Sequence, residues 1–68
     1  MRISYKKLWK LLIDRDMMKK DLAKDAVIST ASIAKLGRNE NVNTDILLRI
    51  CSALKCDISD ILEIVVDE

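Results

Sequence analysis

Residues 21–36 read DLAKDAVISTASIAKL, and this stretch decides the fold of the 68-residue chain. Apolar residues recur at helical spacing on both sides of a break at Val27–Ile28. The first half predicts a short helix from about Lys19 to Ala26. Its inward side chains are expected to be Leu22, Ala23 and Ala26.

The second half predicts another short helix, from Thr30 to about Leu36, in which Ile33 and Leu36 face inward. Ser29 can cap this helix, because its hydroxyl can accept a hydrogen bond from an amide of the first turn. The single glycine, Gly37, follows the last apolar position, where a left-handed residue commonly ends a helix. We therefore expect two helices joined by a turn over residues 19–37, followed by a polar loop at 38–41.

A first helix is predicted before this pair. Ser4 is its expected N-cap, and the helix should end near Asp14–Asp16. Its apolar face repeats at i, i+3, i+4 and i+7 and comprises Tyr5, Leu8, Trp9 and Leu12. The two aromatic residues are expected in the core or at its rim, not stacked on bases.

Two more helices are predicted within residues 43–63. Asn43 can cap a fourth helix, whose apolar stripe comprises Ile46, Leu47, Ile50, Cys51 and Leu54. Asp57 and Asp60 have the spacing of a capping box and predict a fifth helix through Leu62. The β-branched residues 64–66 are compatible with a frayed turn, a short strand or a dimer contact. The chain is thus predicted to be one all-α domain of five helices, residues 1–68.

The composition agrees with a small helical domain. Half of the residues are apolar, 34% are charged, proline is absent and there are only two aromatic residues, which argues against an all-β fold. The abundant Leu, Ile and Val and the small net charge argue against disorder. No apolar run approaches the length of a membrane span, and no secretory signal is evident. With only two cysteines, the sequence predicts a protein of the reducing cytoplasm.

Charge is distributed unevenly along the chain. Residues 1–39 hold ten basic and four acidic side chains, a net charge of +6, whereas residues 40–68 hold two basic and seven acidic side chains, a net charge of −5. The total of +1 conceals this asymmetry. A basic half is an indication of a polyanionic partner.

Residues 21–36 resemble the helix-turn-helix of phage Cro and lambda-class repressors, often called the XRE family. Four features fall on that family's pattern: the pair Leu22–Ala23, then Ile28, Ser29 and Ile33. A small residue is needed at Ala23 because the second helix crosses it closely, and the two isoleucines fill the angle between the helices. The likeness extends over about the whole chain and implies a compact, five-helix, lambda-repressor-like domain of a transcriptional regulator.

Two positions depart from the family pattern. The turn glycine of the family aligns with Val27, and a β-branched residue tolerates a positive φ poorly. Either the turn is rebuilt, or it carries strain of about 1–3 kcal/mol. The second helix begins at Met18–Lys19, where the family usually has a Ser or Thr cap.

The resemblance implies that double-stranded DNA is the partner and that the helix at about residues 30–36 is the recognition helix. Lys35 could donate to guanine, Thr30 and Ser32 to several base edges, and Ala31 could contact a thymine methyl group. The remaining contacts would go to phosphates or could be explained by solvation and capping alone. The full set of predicted DNA-binding residues is Lys19, Lys20, Ser29, Thr30, Ala31, Ser32, Lys35, Arg38, Asn39, Asn41 and Thr44.

The resemblance also implies a homodimer, because one small module makes few contacts, with half-sites about 34 Å apart. The candidate pairing surface is formed by the apolar residues Ile61, Ile64, Val65 and Val66. No small-molecule effector, cofactor, membrane or catalytic residue is expected. The alternative is a protein-interaction module that kept the fold and does not read DNA.

The two cysteines have more than one possible role. Histidine is absent and there are only two cysteines, so a zinc site lacks ligands and no metal is expected. A disulfide between Cys51 and Cys56 is possible in principle. Packing as small apolar residues is the favoured interpretation, and redox sensing is the minority alternative.

Overall fold

A computed structural model describes residues 1–67. Within them the chain forms four α-helices, one 3-10 turn and a two-stranded antiparallel sheet, so the all-α class is confirmed and the predicted count of five helices is too high by one. The helices are α1 (Lys6–Asp14), α2 (Lys19–Ala26), α3 (Thr30–Gly37) and α4 (Thr44–Leu54); the strands are β1 (Arg2–Ser4) and β2 (Glu63–Val65).

The predicted fifth helix is wrong and is replaced by the 3-10 turn Ile58–Asp60. Its start was placed correctly, since the backbone N–H of Asp57 donates to Asp60 Oδ2 at 2.9 Å in a capping box. The helix does not continue because the β-branched segment that follows extends and pairs with the chain's beginning. Of the three alternatives for this segment, the structure shows a strand, with Ile3 opposite Ile64.

The same pairing changes the start of α1. Ser4 is the last residue of β1, and Tyr5 is the N-cap, so the prediction of Ser4 as N-cap is wrong. The hydroxyl of Ser4 still accepts a hydrogen bond from the Lys6 N–H at 3.3 Å. The backbone of Ser4 therefore takes part in strand pairing, while its side chain remains beside the first turn of α1.

The other predicted caps form. Ser29 Oγ accepts from the Ser32 N–H at 3.1 Å, and Asn43 Oδ1 accepts from the Ile46 N–H at 3.0 Å. At the start of α2, where the family's Ser or Thr is missing, Asp21 Oδ2 accepts from the N–H of Met18 at 2.8 Å. An acidic residue in the first turn thus satisfies a free amide that the N-cap side chain does not.

Each helix is followed by a left-handed residue, and none of these residues is glycine. Their φ angles are +54° at Asp16, +56° at Val27, +56° at Asn39 and +52° at Lys55. Gly37 lies inside α3 and has no positive φ, so the prediction that it ends the helix in a left-handed conformation is wrong. Asn39 takes that role two residues later, and the Glu40 N–H bonds back to the Lys35 carbonyl oxygen at 2.9 Å.

One core lies between the four helices and the 3-10 turn. Its members are at most 7% exposed and are Tyr5, Leu8, Leu12, Leu22, Ala26, Leu36, Leu47, Ile50, Leu54 and Ile61. Ala23, Trp9 and Ile33 are half-buried around it. Ile61 is completely buried, which corrects its assignment to a pairing surface: the extended tail turns this side chain inward. No helix within residues 1–67 combines the length and apolar character needed to cross a bilayer.

Candidate nucleic-acid interface

The turn between α2 and α3 keeps its left-handed residue although a valine occupies it. Val27 has φ +56° and ψ +53°, and its side chain is 72% exposed. The next residue, Ile28, donates its N–H to the Ala23 carbonyl oxygen at 3.0 Å. Of the two alternatives for this turn, the structure shows the strained one, because the geometry is retained with a β-branched side chain.

Arg49 on α4 supports this turn from outside the helix-turn-helix. Its Nη1 donates to the Val27 carbonyl oxygen at 2.9 Å, and its Nε lies 3.0 Å from Asp45 Oδ2 one turn earlier on α4. The ion pair holds the guanidinium where it can reach the turn. Sequence reasoning missed this role, since nothing local to Arg49 indicates a partner 22 residues away.

The exposed side chains of α3 are small and uncharged, with the exception of one lysine. Thr30, Ala31 and Lys35 are exposed, as predicted for a recognition helix. Ser32 is half-buried, and its Oγ accepts a hydrogen bond of 3.1 Å from Ser29 Oγ, so these two hydroxyls are engaged with each other. Ala34 is also exposed, although it was not among the predicted DNA-binding residues. Its position four residues after Thr30 places it on the same face of the helix, and this spacing is visible in the sequence.

The start of α2 lies close to the end of α3. Lys19 Nζ is 4.7 Å from the centre of the Trp9 ring, and a Cβ added to Gly37 would be 3.8 Å from the same nitrogen. Trp9 is half-buried and holds the ammonium group through a cation–π contact. Lys20 is exposed, and within residues 1–67 it forms no ion pair. Two predicted phosphate contacts thus lie at one end of the helix pair.

The loop after α3 carries an ion pair between Arg38 and Glu40. The carboxylate of Glu40 accepts a hydrogen bond from Arg38 Nε, which raises the pKa of Arg38 and lowers the pKa of Glu40. Both side chains are exposed. Arg38 would therefore have to exchange this carboxylate for a phosphate in order to contact DNA.

Asn39 and Tyr5 fix the position of this loop. Asn39 Oδ1 accepts from the Tyr5 N–H at 3.0 Å and so caps α1 in place of a local side chain. The hydroxyl of Tyr5 donates to the Glu40 carbonyl oxygen at 3.0 Å. Burial raises the pKa of Tyr5, and a hydrogen bond with the backbone of Val42 partly offsets this. The capping of α1 thus gives Asn39 a structural role that does not depend on DNA.

The remaining predicted residues lie at the start of α4. Asn41 and Thr44 are exposed, and the cap Asn43 lies between them in the chain. The N-terminal end of a helix presents free amides and favours anions. The fold therefore provides a helix-turn-helix with an exposed second helix, flanked by two helix starts.

This arrangement matches a known family. Residues 7–67 match the model of the Cro/C1-type helix-turn-helix DNA-binding domain. The chain belongs to this family. The match runs from the second residue of α1 through the other three helices, the 3-10 turn and β2, and it confirms the resemblance seen in residues 21–36.

A solved structure is similar to this Cro/C1-type domain. It is the crystal structure of the transcriptional regulator VanUg, Form II, which is 56% identical in sequence and superposes with a TM-score of 0.87. The similarity covers 91% of the present chain and 83% of that chain. No curated protein gives a significant match.

The two cysteines of this Cro/C1-type domain lie away from α3. Both are free and half-buried, and both border a groove that runs along α4 from Thr44 and past its C-terminal end to Ile58. Burial is the main reason that the pKa of Cys51 and of Cys56 is raised, and the carboxylate of Asp60 adds to the effect in both. As neutral thiols at neutral pH they resemble packing residues more than activated nucleophiles.

Proposed function

We propose that this Cro/C1-type domain is a sequence-specific transcriptional regulator that places α3 in the major groove of double-stranded DNA. The observation that carries the proposal is the exposure of Thr30, Ala31 and Lys35 on the second helix of a helix-turn-helix whose first residues are held by the Ser29 cap. A helix in this position of the motif contacts base edges with its N-terminal residues. The similarity to VanUg, a transcriptional regulator, supports the regulatory part.

The chemistry of α3 favours modest base discrimination. Lys35 can donate to the O6 and N7 acceptors of guanine, and the methyl groups of Ala31 and Ala34 can contact thymine. Thr30 carries one hydroxyl, and the hydroxyls of Ser29 and Ser32 are bonded to each other. Because no exposed Arg, Asn or Gln fork lies on α3, phosphate contacts must contribute much of the affinity.

We assign the phosphate contacts to both sides of α3. Lys19 and Lys20 begin α2 on one side, and on the other Arg38, Asn39, Asn41 and Thr44 lead into α4. These groups would position the domain and carry no sequence information. The acidic C-terminal part, of net charge −5 over residues 40–68, would disfavour docking with that end towards DNA.

We further propose a homodimer. Of the predicted pairing residues, Ile64 and Val66 are 67% and 66% exposed, Val65 is half-buried, and Ile61 lies in the core. We assign the pairing surface to Ile64, Val65 and Val66. Exposed apolar residues on an open strand edge favour pairing with another chain. Sedimentation should show a dimer for the native chain and a monomer for Ile64→Lys; a native chain that stays monomeric at high concentration contradicts the assignment.

DNA binding is tested first by titrating a labelled duplex at several salt concentrations. The logarithm of affinity should fall linearly with the logarithm of salt concentration, with a slope of about −0.9 for each phosphate neutralised. Selection of bound duplexes from a random pool should then return a symmetric site with half-sites about one helical turn apart. Absent or salt-independent binding to all duplexes would leave the protein-interaction module as the function.

The division of roles is tested with two lysine variants and a matched control. Lys35→Ala should relax the preference at one base position, whereas Lys20→Ala should weaken all sequences alike and flatten the salt slope by about one unit. Lys10→Ala removes the same charge from α1 and should change neither property. Identical behaviour of the Lys35 and Lys20 variants would contradict the assignment.

A further inference from the structure

Cys51 and Cys56 occupy two linked positions at the end of α4. The helix ends at Leu54, Lys55 is left-handed, and the N–H of Cys56 donates to the carbonyl oxygen of Cys51 at 3.1 Å. This is the 6→1 hydrogen bond of a Schellman motif, in which the side chains of the two bonded residues commonly contact each other. In this motif the two side chains are frequently apolar; here both carry thiols.

The two side chains lie on one surface, as this backbone geometry favours. Both thiols are free and half-buried, and both border one groove of about 480 Å³ together with Thr44, Leu47, Leu48 and Ile58. Leu48 and Ile58 are exposed, so the groove is open to small solutes. Two cysteines that the backbone places next to each other on one open groove are candidates for a disulfide.

We propose that Cys51 and Cys56 are a modification site, at which a low-molecular-weight disulfide oxidises the pair to an intramolecular disulfide. One cysteine thiolate attacks the small disulfide, which forms a mixed disulfide and releases one small thiol. The second cysteine then attacks the sulfur of the first, and the second small thiol leaves. The protein loses two hydrogens and two electrons, which the small disulfide gains on becoming two thiols.

Proximity makes the second step the favoured fate of the mixed disulfide. The Schellman hydrogen bond keeps the resolving cysteine next to the attacked one on the same groove, so the effective concentration of its thiol exceeds that of any free thiol in solution. The first step is slow, because burial and Asp60 keep both thiols protonated. The pair would therefore respond to sustained oxidation and not to brief exposure.

The modification would act on stability and spare the DNA-binding surface. The bond would link the C-terminal end of α4 to the segment that enters the 3-10 turn through Asp57. Thr44 lies at the other end of the groove, seven residues before Cys51 and about 10 Å away along α4. We therefore expect oxidation to raise the melting temperature and to leave the affinity for DNA and its salt slope unchanged.

The experiment treats the full, folded chain with oxidised glutathione. The native protein should lose about 2 Da and retain no glutathione. Digestion with trypsin after denaturation cleaves after Arg49 and Lys55, so residues 50–55 and 56–68 should remain joined until a reductant is added. Stable glutathione adducts, disulfide-linked dimers or unlinked peptides would overturn the proposal.

Two controls separate the pair from either thiol alone. Cys51→Ser and Cys56→Ser should each retain one glutathione, because the resolving thiol is missing. The melting temperature of the native chain should rise on oxidation, while that of the double serine variant stays constant. A rise in melting temperature of the same size in the double variant, or no rise in the native chain, would contradict the expectation that the disulfide stabilises the fold. The peptide linkage needs no variant and remains decisive if a variant folds poorly.

Discussion

The guanidinium of Arg49 donates a hydrogen bond of 2.9 Å to the carbonyl oxygen of Val27, the left-handed residue between the two helices of the helix-turn-helix. A helix outside the motif thus supports the motif's strained turn. Helix α4 also packs against α2, so it supports the first helix of the motif as well as the turn. The hydrogen bond adds a polar tie to this packing.

Arg49→Met should lower the free energy of unfolding by about 1 kcal/mol, because the aliphatic packing is kept and one charge-assisted hydrogen bond is lost. Asp45→Asn removes only the exposed ion pair and should cost about 0.5 kcal/mol or less. Urea denaturation of both variants measures the difference. Equal losses of unfolding free energy in the two variants would show that the ion pair with Asp45, and not the hydrogen bond to Val27, stabilises the protein.

Val27→Gly should stabilise the protein by about 1 kcal/mol, since the left-handed conformation costs a β-branched residue more than the added backbone freedom costs glycine. The exposed valine side chain contributes little burial that could be lost. Val27→Ala should stabilise the protein less than Val27→Gly, because alanine keeps a Cβ. A destabilised glycine variant in thermal unfolding would mean that the turn is not strained.

Asn39→Asp should separate a structural role from a DNA-binding role. Aspartate keeps the oxygen that accepts from the Tyr5 N–H and tolerates the left-handed conformation, so stability should change little. Asn39→Ala loses the accepting oxygen and tolerates the left-handed conformation less well, so the free energy of unfolding should fall by about 2 kcal/mol. If Asn39 approaches a phosphate, the new charge in Asn39→Asp should weaken DNA binding about fivefold at low salt.

Ser59→Asp provides the control for that charge. It adds the same charge on the 3-10 turn, away from α3, and should leave DNA affinity nearly unchanged. Equal weakening in both aspartate variants would point to net charge alone and would remove Asn39 from the interface.

Stability should fall as the pH rises from about 8 to about 11. Tyr5, Cys51 and Cys56 each have a raised pKa in the folded protein, so the unfolded chain releases their protons first. Their contribution is complete below the unfolded pKa values and is lost as the pH passes through the folded ones. Urea titrations across this range measure the fall.

The double variant Cys51→Ser, Cys56→Ser should remove the part of the decline that begins near pH 8, and Tyr5→Phe should remove the part above about pH 10. Tyr5→Phe also loses the hydrogen bond to Glu40 and should cost about 1 kcal/mol at neutral pH. An unchanged pH profile in these variants would mean that other groups dominate the alkaline decline.

Features set by neighbouring residues were predictable from sequence. The boundaries of α2 and α3, the caps Ser29 and Asn43 and the capping box Asp57–Asp60 depend on residues three or four positions apart, and all of them form in the structure. The exposure of Thr30, Ala31 and Lys35 followed from the helical period. The family followed from the same stretch, because its coupled positions lie within residues 21–36.

Pairings between distant residues could not be predicted in this way. The strand at residues 63–65 forms because it finds β1 at the other end of the chain, and Tyr5 meets Glu40 across 35 residues. A period in the sequence shows which face of a segment is apolar, but it does not show which partner covers that face. Ile61 illustrates this, since it was predicted on a pairing surface and lies in the core.

A basic N-terminal part with a helix-turn-helix and an acidic C-terminal part could be recognised from the residues alone, because composition, helical spacing and capping are local properties. The strained left-handed valine in the turn and its support by Arg49 became visible only in the folded molecule. Both depend on how α4 packs against the helix-turn-helix. Packing in three dimensions can hold a residue in a conformation that its own propensity opposes.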